Sequence, residues 1–328
     1  MLRIFHNTSY DFIRWWKWAA GLTVAFLLIG LASYIQAPIN YSIEFTGGTM
    51  MQVEFERPPD VGALRSGLGA AGIEGAEIIQ FGSSREFVIR AQESRQIAEQ
   101  DTAAGTIARR IQQVLTSTYG SQMRVVRTEA VSPRVGDELQ SKALIAMIIS
   151  FIITLIYLAV RFEWRMGLAA VVATAHDFVA TLVFMKLMHL EVSLMVVAGL
   201  LTVIGYSMND TVIIFDRLRE DLRKARNESL YDTLNRSINE TLPRSIITHS
   251  LSLTSVLALL LLGGEVIRPF AWVMAFGIFT GTFSSMYVAA PLLIWIERKW
   301  PRKTSVARRS STATRTSRTP RSKATAAT

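Results

Sequence analysis

Six runs of 18 to 28 residues without Lys, Arg or Glu constrain this 328-residue chain more than any other feature. They cover residues 18–35, 143–160, 166–185, 192–215, 245–264 and 269–296. About 20 apolar residues in a helix cross a bilayer core of roughly 30 Å, where no water would satisfy an open backbone. The chain therefore reads as a polytopic α-helical membrane protein with six transmembrane helices. Lys and Arg in the short connections set its orientation. Residues 1–17 hold Arg3, Arg14 and Lys17, and the connection after the second span holds Arg161 and Arg165. Residues 216–244, after the fourth span, hold seven basic residues, whereas the opposite side has only Lys186 and Arg268 in its short loops. Both termini are therefore expected in the cytoplasm. The first span, residues 18–36, is expected to be an uncleaved anchor, because Tyr34-Ile35-Gln36-Ala37-Pro38 is too bulky for a small-x-small cleavage site. Trp15, Trp16 and Trp18 suit an interfacial aromatic belt.

Residues 37–139 form the one long outer connection. Met50-Met51-Gln52-Val53-Glu54-Phe55 alternates as a strand does, and residues 61–71 read as a helix. Residues 76–81 and 86–91 read as strands around the turn Gly82-Ser83-Ser84. A longer helix over 95–119 carries Ile97, Ile107, Ile111, Val114 and Leu115 on or near one face, and residues 123–127 close the set. The order β-α-β-β-α-β predicts a small α+β ferredoxin-like extracytoplasmic domain. The chain has no Cys. That domain must fold without disulfides, and cysteine zinc sites, iron–sulfur clusters and thiol nucleophiles are excluded.

Residues 140–297 are expected to form a five-helix bundle whose cytoplasmic connection, 216–244, is amphipathic. Leu218, Leu222, Leu230, Leu234, Ile238 and Leu242 recur there at helical spacing. Such a stripe suits packing on neighbouring helices, a membrane surface or a recruited partner. The formal charge of +9 is local, because residues 298–328 hold ten Lys/Arg and no Asp/Glu. Removing them leaves 25 basic and 26 acidic residues. The tail is expected to be disordered and held by anionic lipid. No nucleic-acid-binding fold is implied.

A carboxylate at mid-span costs at least about 2.5–3.5 kcal/mol, so Asp177 and Asp210 must be paired, protonated or wet. Asp210 lies in the polar cluster Tyr206-Ser207-Met208-Asn209-Asp210-Thr211. Arg244, Thr248, Ser252 and Ser255 fall on one face of the fifth span at i, i+4, i+8 and i+11, in the same half of the membrane as Asp210. An Asp210–Arg244 ion pair fits this placement. So do a snorkelling interfacial Arg244 and a cluster that ties helices by hydrogen bonds. His176-Asp177 suits a relay, a structural pair or a single side-chain tie, and His249 is a further polar group in the fifth span. No metal site is expected, since no second His or carboxylate stands at ligand spacing, and no cofactor is implied. Gly277-x-x-x-Gly281 permits close helix packing.

Four motifs resemble the SecF branch of the SecD/SecF family within the RND superfamily. They are Glu44-Phe45-Thr46-Gly47-Gly48-Thr49, Ser132-Pro133-Arg134-Val135-Gly136-Asp137-Glu138-Leu139, Gly205 to Arg217, and Asn239 to Thr248. Glu44 stands where the family commonly has Asp, and the basic tail has no counterpart in the resemblance. The resemblance implies one RND-type half of a twelve-span unit completed by SecD. It also implies the SecYEG channel, YajC and YidC as partners, preproteins as substrates and an indirect link to SecA. It puts Asp210 and Arg244 on a proton pathway across the bacterial inner membrane. His176, Asp177, Tyr206, Asn209, Thr211, Thr248 and His249 are expected to support that pathway. Phe45, Thr46, Gly47, Gly48 and Thr49 are expected to serve as a hinge or as a tight turn into the first strand. An RND-type exporter of small molecules or lipids is the competing class, but such exporters usually carry two halves and two large loops. An intramembrane enzyme would need a nucleophile or metal set that this sequence lacks.

Overall fold

The computed structural model describes residues 8–36, 39–73, 76–91, 103–224 and 228–301. The expected tail disorder and Ile97 lie outside the described residues. Helix α1 (Trp16–Gln36) follows a 3-10 turn at Ile13–Trp15. The segment before it is pinned to the fifth span: Asn239 and Asn235 accept from the N–H groups of Tyr10 and Phe12 and both donate to the Tyr10 carbonyl. After α1 come the short helix α2 (Ile43–Thr46) and strand β1 (Gly48–Phe55). Helix α3 (Val61–Ala70) begins at Asp60, whose carboxylate accepts from the N–H groups of Gly62 and Ala63. Strands β2 (Glu77–Gln80) and β3 (Glu86–Ala91), helix α4 (Ala103–Tyr119) and strand β4 (Met123–Val131) complete the sheet domain.

Its strand order is β2-β3-β1-β4, with every neighbouring pair antiparallel. This is the ferredoxin-like arrangement expected from the element order. Met51, Val53, Phe55, Phe87 and Ile89 form one face of the sheet and bury against Leu64 and Leu68 of α3 and Ile111 and Leu115 of α4. β4 continues past residue 127 to Val131, because its end pairs with Gly48–Gln52 beyond a register shift at Gln52/Val53. The sheet therefore ends directly at Ser132, which caps helix α5 (Pro133–Arg161) with Pro133 in its first turn.

Helices α6 (Trp164–Leu187), α7 (Leu194–Lys224), α8 (Leu230–Leu262), α9 (Gly264–Ser284) and α10 (Ala290–Lys299) follow. A π turn at Ser285–Ala289 joins α9 to α10, so among the described residues six helical spans are long and apolar enough to cross a membrane. The connection 216–244 is not a separate surface helix. α7 runs on to Lys224, and α8 starts at Leu230 behind the Ser229 cap. The expected stripe packs inward: Leu218, Leu234, Ile238 and Leu242 join Phe162, Met166 and Leu293 in one core. Arg161–Asp216, Arg217–Glu240 and Arg236–Glu228 ion pairs lie on the polar side of these extensions.

Candidate functional site

Small residues set how closely the central helices approach. A Cβ on Gly281 of α9 would lie 2.9 Å from Ser207 Cα of α7, and one on Gly277 would lie 2.2 Å from Val203 Cγ2. The Gly277/Gly281 stripe thus lets α9 seat against Val203 and Ser207, one turn apart on α7. This contact brings Ser284 of α9 within reach of one buried carboxylate, and a second buried carboxylate meets a hydroxyl of α8.

The first is Asp177 of α6, fully buried. His176 Nδ1 lies 2.9 Å from its Oδ1, while Oδ2 accepts from Ser284 Oγ at 2.5 Å and from Ser207 Oγ. Asp177 therefore ties α6, α7 and α9 together, and its oxygens are already engaged.

Asp210 of α7 differs. It is 1% exposed, its Oδ1 accepts from Ser245 Oγ at 3.2 Å, and its Oδ2 has no hydrogen-bond partner among the described residues. His249 Nδ1 stands 3.4 Å from that oxygen. His249 also meets Thr282 Oγ1 of α9 at 2.9 Å, and its ring lies 5.3 Å from that of Tyr206. Thr211 is buried beside Asp210, whereas Asn209 is exposed.

Of the expected polar face of the fifth span, Ser252 alone turns toward the bundle, and elsewhere the inward face is shifted by one position. Ser245, His249, Ser252 and Val256 face the bundle, and Arg244, Thr248 and Ser255 are exposed. No ion pair joins Arg244 to Asp210 among the described residues. Arg244 instead lines a groove of about 400 Å³ with Ile213, Asp216, Arg217, Glu220, Glu240 and Thr241. The reason is steric: adjacent helical residues point about 100° apart. At the crossing with α7 a serine fits beside Asp210, while a guanidinium needs the open groove. Thr248 spends its hydroxyl on the Arg244 and Ser245 carbonyls. Pro243 precedes Arg244 and lacks the N–H that would bond the Asn239 carbonyl.

The Gly-Gly motif lies at the other end of the bundle. Gly47 has φ 72° and Gly48 φ 129°, and a Cβ on Gly47 would fall 2.6 Å from Pro133 Cα. A Cβ on Gly136 would likewise lie 2.9 Å from the Phe45 carbonyl oxygen. The pair forms a tight turn into β1, closed against the start of α5, and Thr49 is fully buried next to it. Phe45 packs with Ala143 and Val197, while Thr46 Oγ1 donates to the Ser42 carbonyl. Glu44 Oε2 accepts from the Leu194 N–H at 2.6 Å, so it caps α7. Ser42 N–H donates to the Val192 carbonyl at 3.0 Å, and Val192 N–H to Asn40 at 2.8 Å. Arg90 of β3 forms a two-pronged ion pair with Glu191 in the same α6–α7 turn. The sheet domain is therefore fastened to the turn between the third and fourth spans.

Ser245, Ser284, Thr282 and the capping role of Glu44 escaped the sequence reading. Small hydroxyl residues in apolar helices are common, and only the helix crossings reveal which of them meet a carboxylate.

Residues 110–299 match the family model described as protein export membrane protein SecD/SecF, C-terminal, and residues 35–59 match the SecD/SecF GG motif. The protein translocase subunit SecF of Gemmatimonas aurantiaca is 59% identical over 305 residues, covering 92% of this chain and 91% of that protein. The protein of the same name from Vibrio alginolyticus is 38% identical, covering 87% and 89%. The crystal structure of SecDF, a translocon-associated membrane protein from Thermus, is 33% identical with a TM-score of 0.76. It covers 89% of this chain, but this chain spans only 39% of that one. SecDF in a super-membrane-facing form has a TM-score of 0.64 at 32% identity, covering 90% of this chain and 40% of that chain.

Proposed function

Because this chain belongs to the SecD/SecF family of protein-export membrane proteins, we propose that it acts as the SecF subunit of a Sec protein translocase. In this reading it pairs with SecD and uses the proton-motive force to help preproteins across the inner membrane beside the SecYEG channel. The observation that carries the energetic part is Asp210: a carboxyl group buried within a span, with one oxygen lacking a hydrogen-bond partner among the described residues and a titratable ring 3.4 Å away. A group in that position can exist in protonated and ionised states with different neighbours, and such a pair of states is what a proton-driven cycle needs. Each charge crossing 100 mV supplies about 2.3 kcal/mol, enough to bias a domain movement and too little to unfold a domain in one step. Arg244 lines its groove with Asp216, Arg217, Glu220 and Glu240.

A partner half is supported by polar groups on outward surfaces. Asn209 of α7 and Arg244, Thr248 and Ser255 of α8 are exposed beside Ile247 and Leu251. Hydrocarbon would leave the Asn209 amide and the Arg244 guanidinium without partners, whereas a second bundle can bond them; the Thr248 and Ser255 hydroxyls already donate to carbonyls of their own helix. Depleting a SecD-type protein from cells is therefore expected to lower the steady-state level of this chain, and affinity isolation of either should bring down the other. Undiminished, monomeric accumulation without the partner would refute the pairing.

The orientation is part of the same proposal: termini in the cytoplasm, sheet domain outside, by the Lys/Arg asymmetry of the connections. A reporter active only outside the membrane, inserted at Gly82, should give signal. A reporter fused after Trp300 should register as cytoplasmic. The reverse result at either site would overturn this topology.

A further inference from the structure

His249 is the one titratable side chain within ion-pair distance of Asp210 among the described residues. It is buried, and three helices meet around it. From α7 it faces Asp210 and Tyr206, whose hydroxyl contacts Ser252. On its own helix Ser245 reaches Asp210, and Arg244 is exposed. From α9 it faces Thr282.

Thr282 Oγ1 has two places for its proton. It lies 2.9 Å from His249 Nδ1 and 2.9 Å from the Ile278 carbonyl oxygen. With a neutral ring, Nδ1 can accept from the threonine hydroxyl. With an imidazolium, Nδ1–H donates and the hydroxyl turns to Ile278. The site thus has a satisfied hydrogen-bond arrangement for either protonation state of the ring. An arginine offers no such alternative, because it does not release its proton.

Building on the proton-coupled reading above, we propose that His249 is a second proton-carrying group of the cycle, exchanging a proton with Asp210 across the 3.4 Å gap. In the forward step the Asp210 Oδ2–H bond breaks and an Nδ1–H bond forms, giving a carboxylate and an imidazolium. The reverse step restores the carboxylic acid and the neutral ring. Neither needs a further reactant. Thr282 is a positioning residue that bonds Nδ1 before and after the transfer, and its hydroxyl turns to the Ile278 carbonyl while Nδ1 faces the carboxyl group.

The test uses the full chain with its SecD-type partner in vesicles, measuring the export increment produced by an imposed proton gradient over a range of pH. The wild-type increment should vary with pH, and His249→Gln should change the shape of that profile and lose most of the increment while remaining assembled with the partner. A His249→Gln profile matching wild type in height and shape would make the ring a packing residue and overturn the proposal. Infrared titration of the unmutated protein with isotope-labelled histidine gives an independent reading. The Asp210 carboxyl band, identified by its absence in Asp210→Asn, should change together with an imidazole band. A carboxyl change with no imidazole change would also overturn it. If Asp210→Asn itself keeps the full increment, the proton-coupled reading fails as a whole. If Asp210→Asn is inactive and His249→Gln is normal, only the role of His249 fails.

Discussion

Export driven by the proton gradient should vanish when Asp210 becomes Asn, with folding and partnership intact. The substitution keeps the side chain's size, and the amide oxygen can still accept from Ser245, which now donates to Oδ1 at 3.2 Å. The amide nitrogen would occupy the place of the oxygen that has no hydrogen-bond partner and faces His249. The amide brings two N–H donors to a buried place where Oδ2 had no hydrogen-bond partner among the described residues, so the expected destabilisation is up to about 3 kcal/mol. What is lost is the ability to take up and release a proton. The proton-dependent part of preprotein translocation into inverted membrane vesicles should therefore fall to the level without a gradient. Co-isolation with the partner should be unchanged. An Asp210→Asn protein with normal gradient-driven export would make Asp210 a helix tie like Asp177. Arg244→Lys is the companion change: because Arg244 makes no ion pair with Asp210, retention of its charge alone should preserve part of the activity.

Gly47→Ala should cause the largest loss of stability of any single-methyl change in the motif. At φ 72° and ψ 164° the backbone occupies a region that is essentially closed to side-chain-bearing residues. The added Cβ would also stand 2.6 Å from a backbone atom, Pro133 Cα, which no rotamer change can move aside. Strain and overlap together should cost about 3–5 kcal/mol. The consequence reaches beyond the turn, since it joins β1 to the start of α5 and sits beside the Glu44 cap of α7. Thermal unfolding of the purified protein in detergent should register the loss as a marked fall in midpoint. Gly21→Ala is the control: nothing lies within 4 Å of its would-be Cβ, and alanine is the better helix former. It should be neutral or slightly stabilising. Equal midpoints for the two variants would show that the Gly47 turn is not under the constraint described.

The membrane spans were legible because lipid allows few solutions: a long charge-free run has to be a helix. The helix ends were not. α5 begins at Pro133, ten residues before its charge-free run, because a Ser-Pro cap and the sheet's last strand fix the start. The sheet domain was legible from alternation in Met51, Val53 and Phe55 and from the turn residues at Gly82. The extension of β4 to Val131 depended on a strand register that no local pattern encodes. At the site, Asp210 stood out because a buried acid demands a reason. Its partners did not stand out, since the choice between Ser245 and Arg244 is a rotation of one residue about α8. That rotation is decided by what α7 and α9 present to it. The Asp177–Ser284 contact likewise needed the close seating of Gly281 on Ser207. Glu44 was noted for its departure from the family's usual Asp, and its capping of a helix 150 positions away is a tertiary fact.

The central claim is that export assistance draws on the proton gradient through Asp210. It is tested most directly by measuring the increment in preprotein translocation that this chain and its partner confer on energised vesicles, with and without a protonophore. The account predicts that the protonophore reduces the wild-type increment to that of Asp210→Asn, while collapsing a sodium gradient leaves it intact. A wild-type increment that survives the protonophore, or that disappears only when sodium is collapsed, would contradict it.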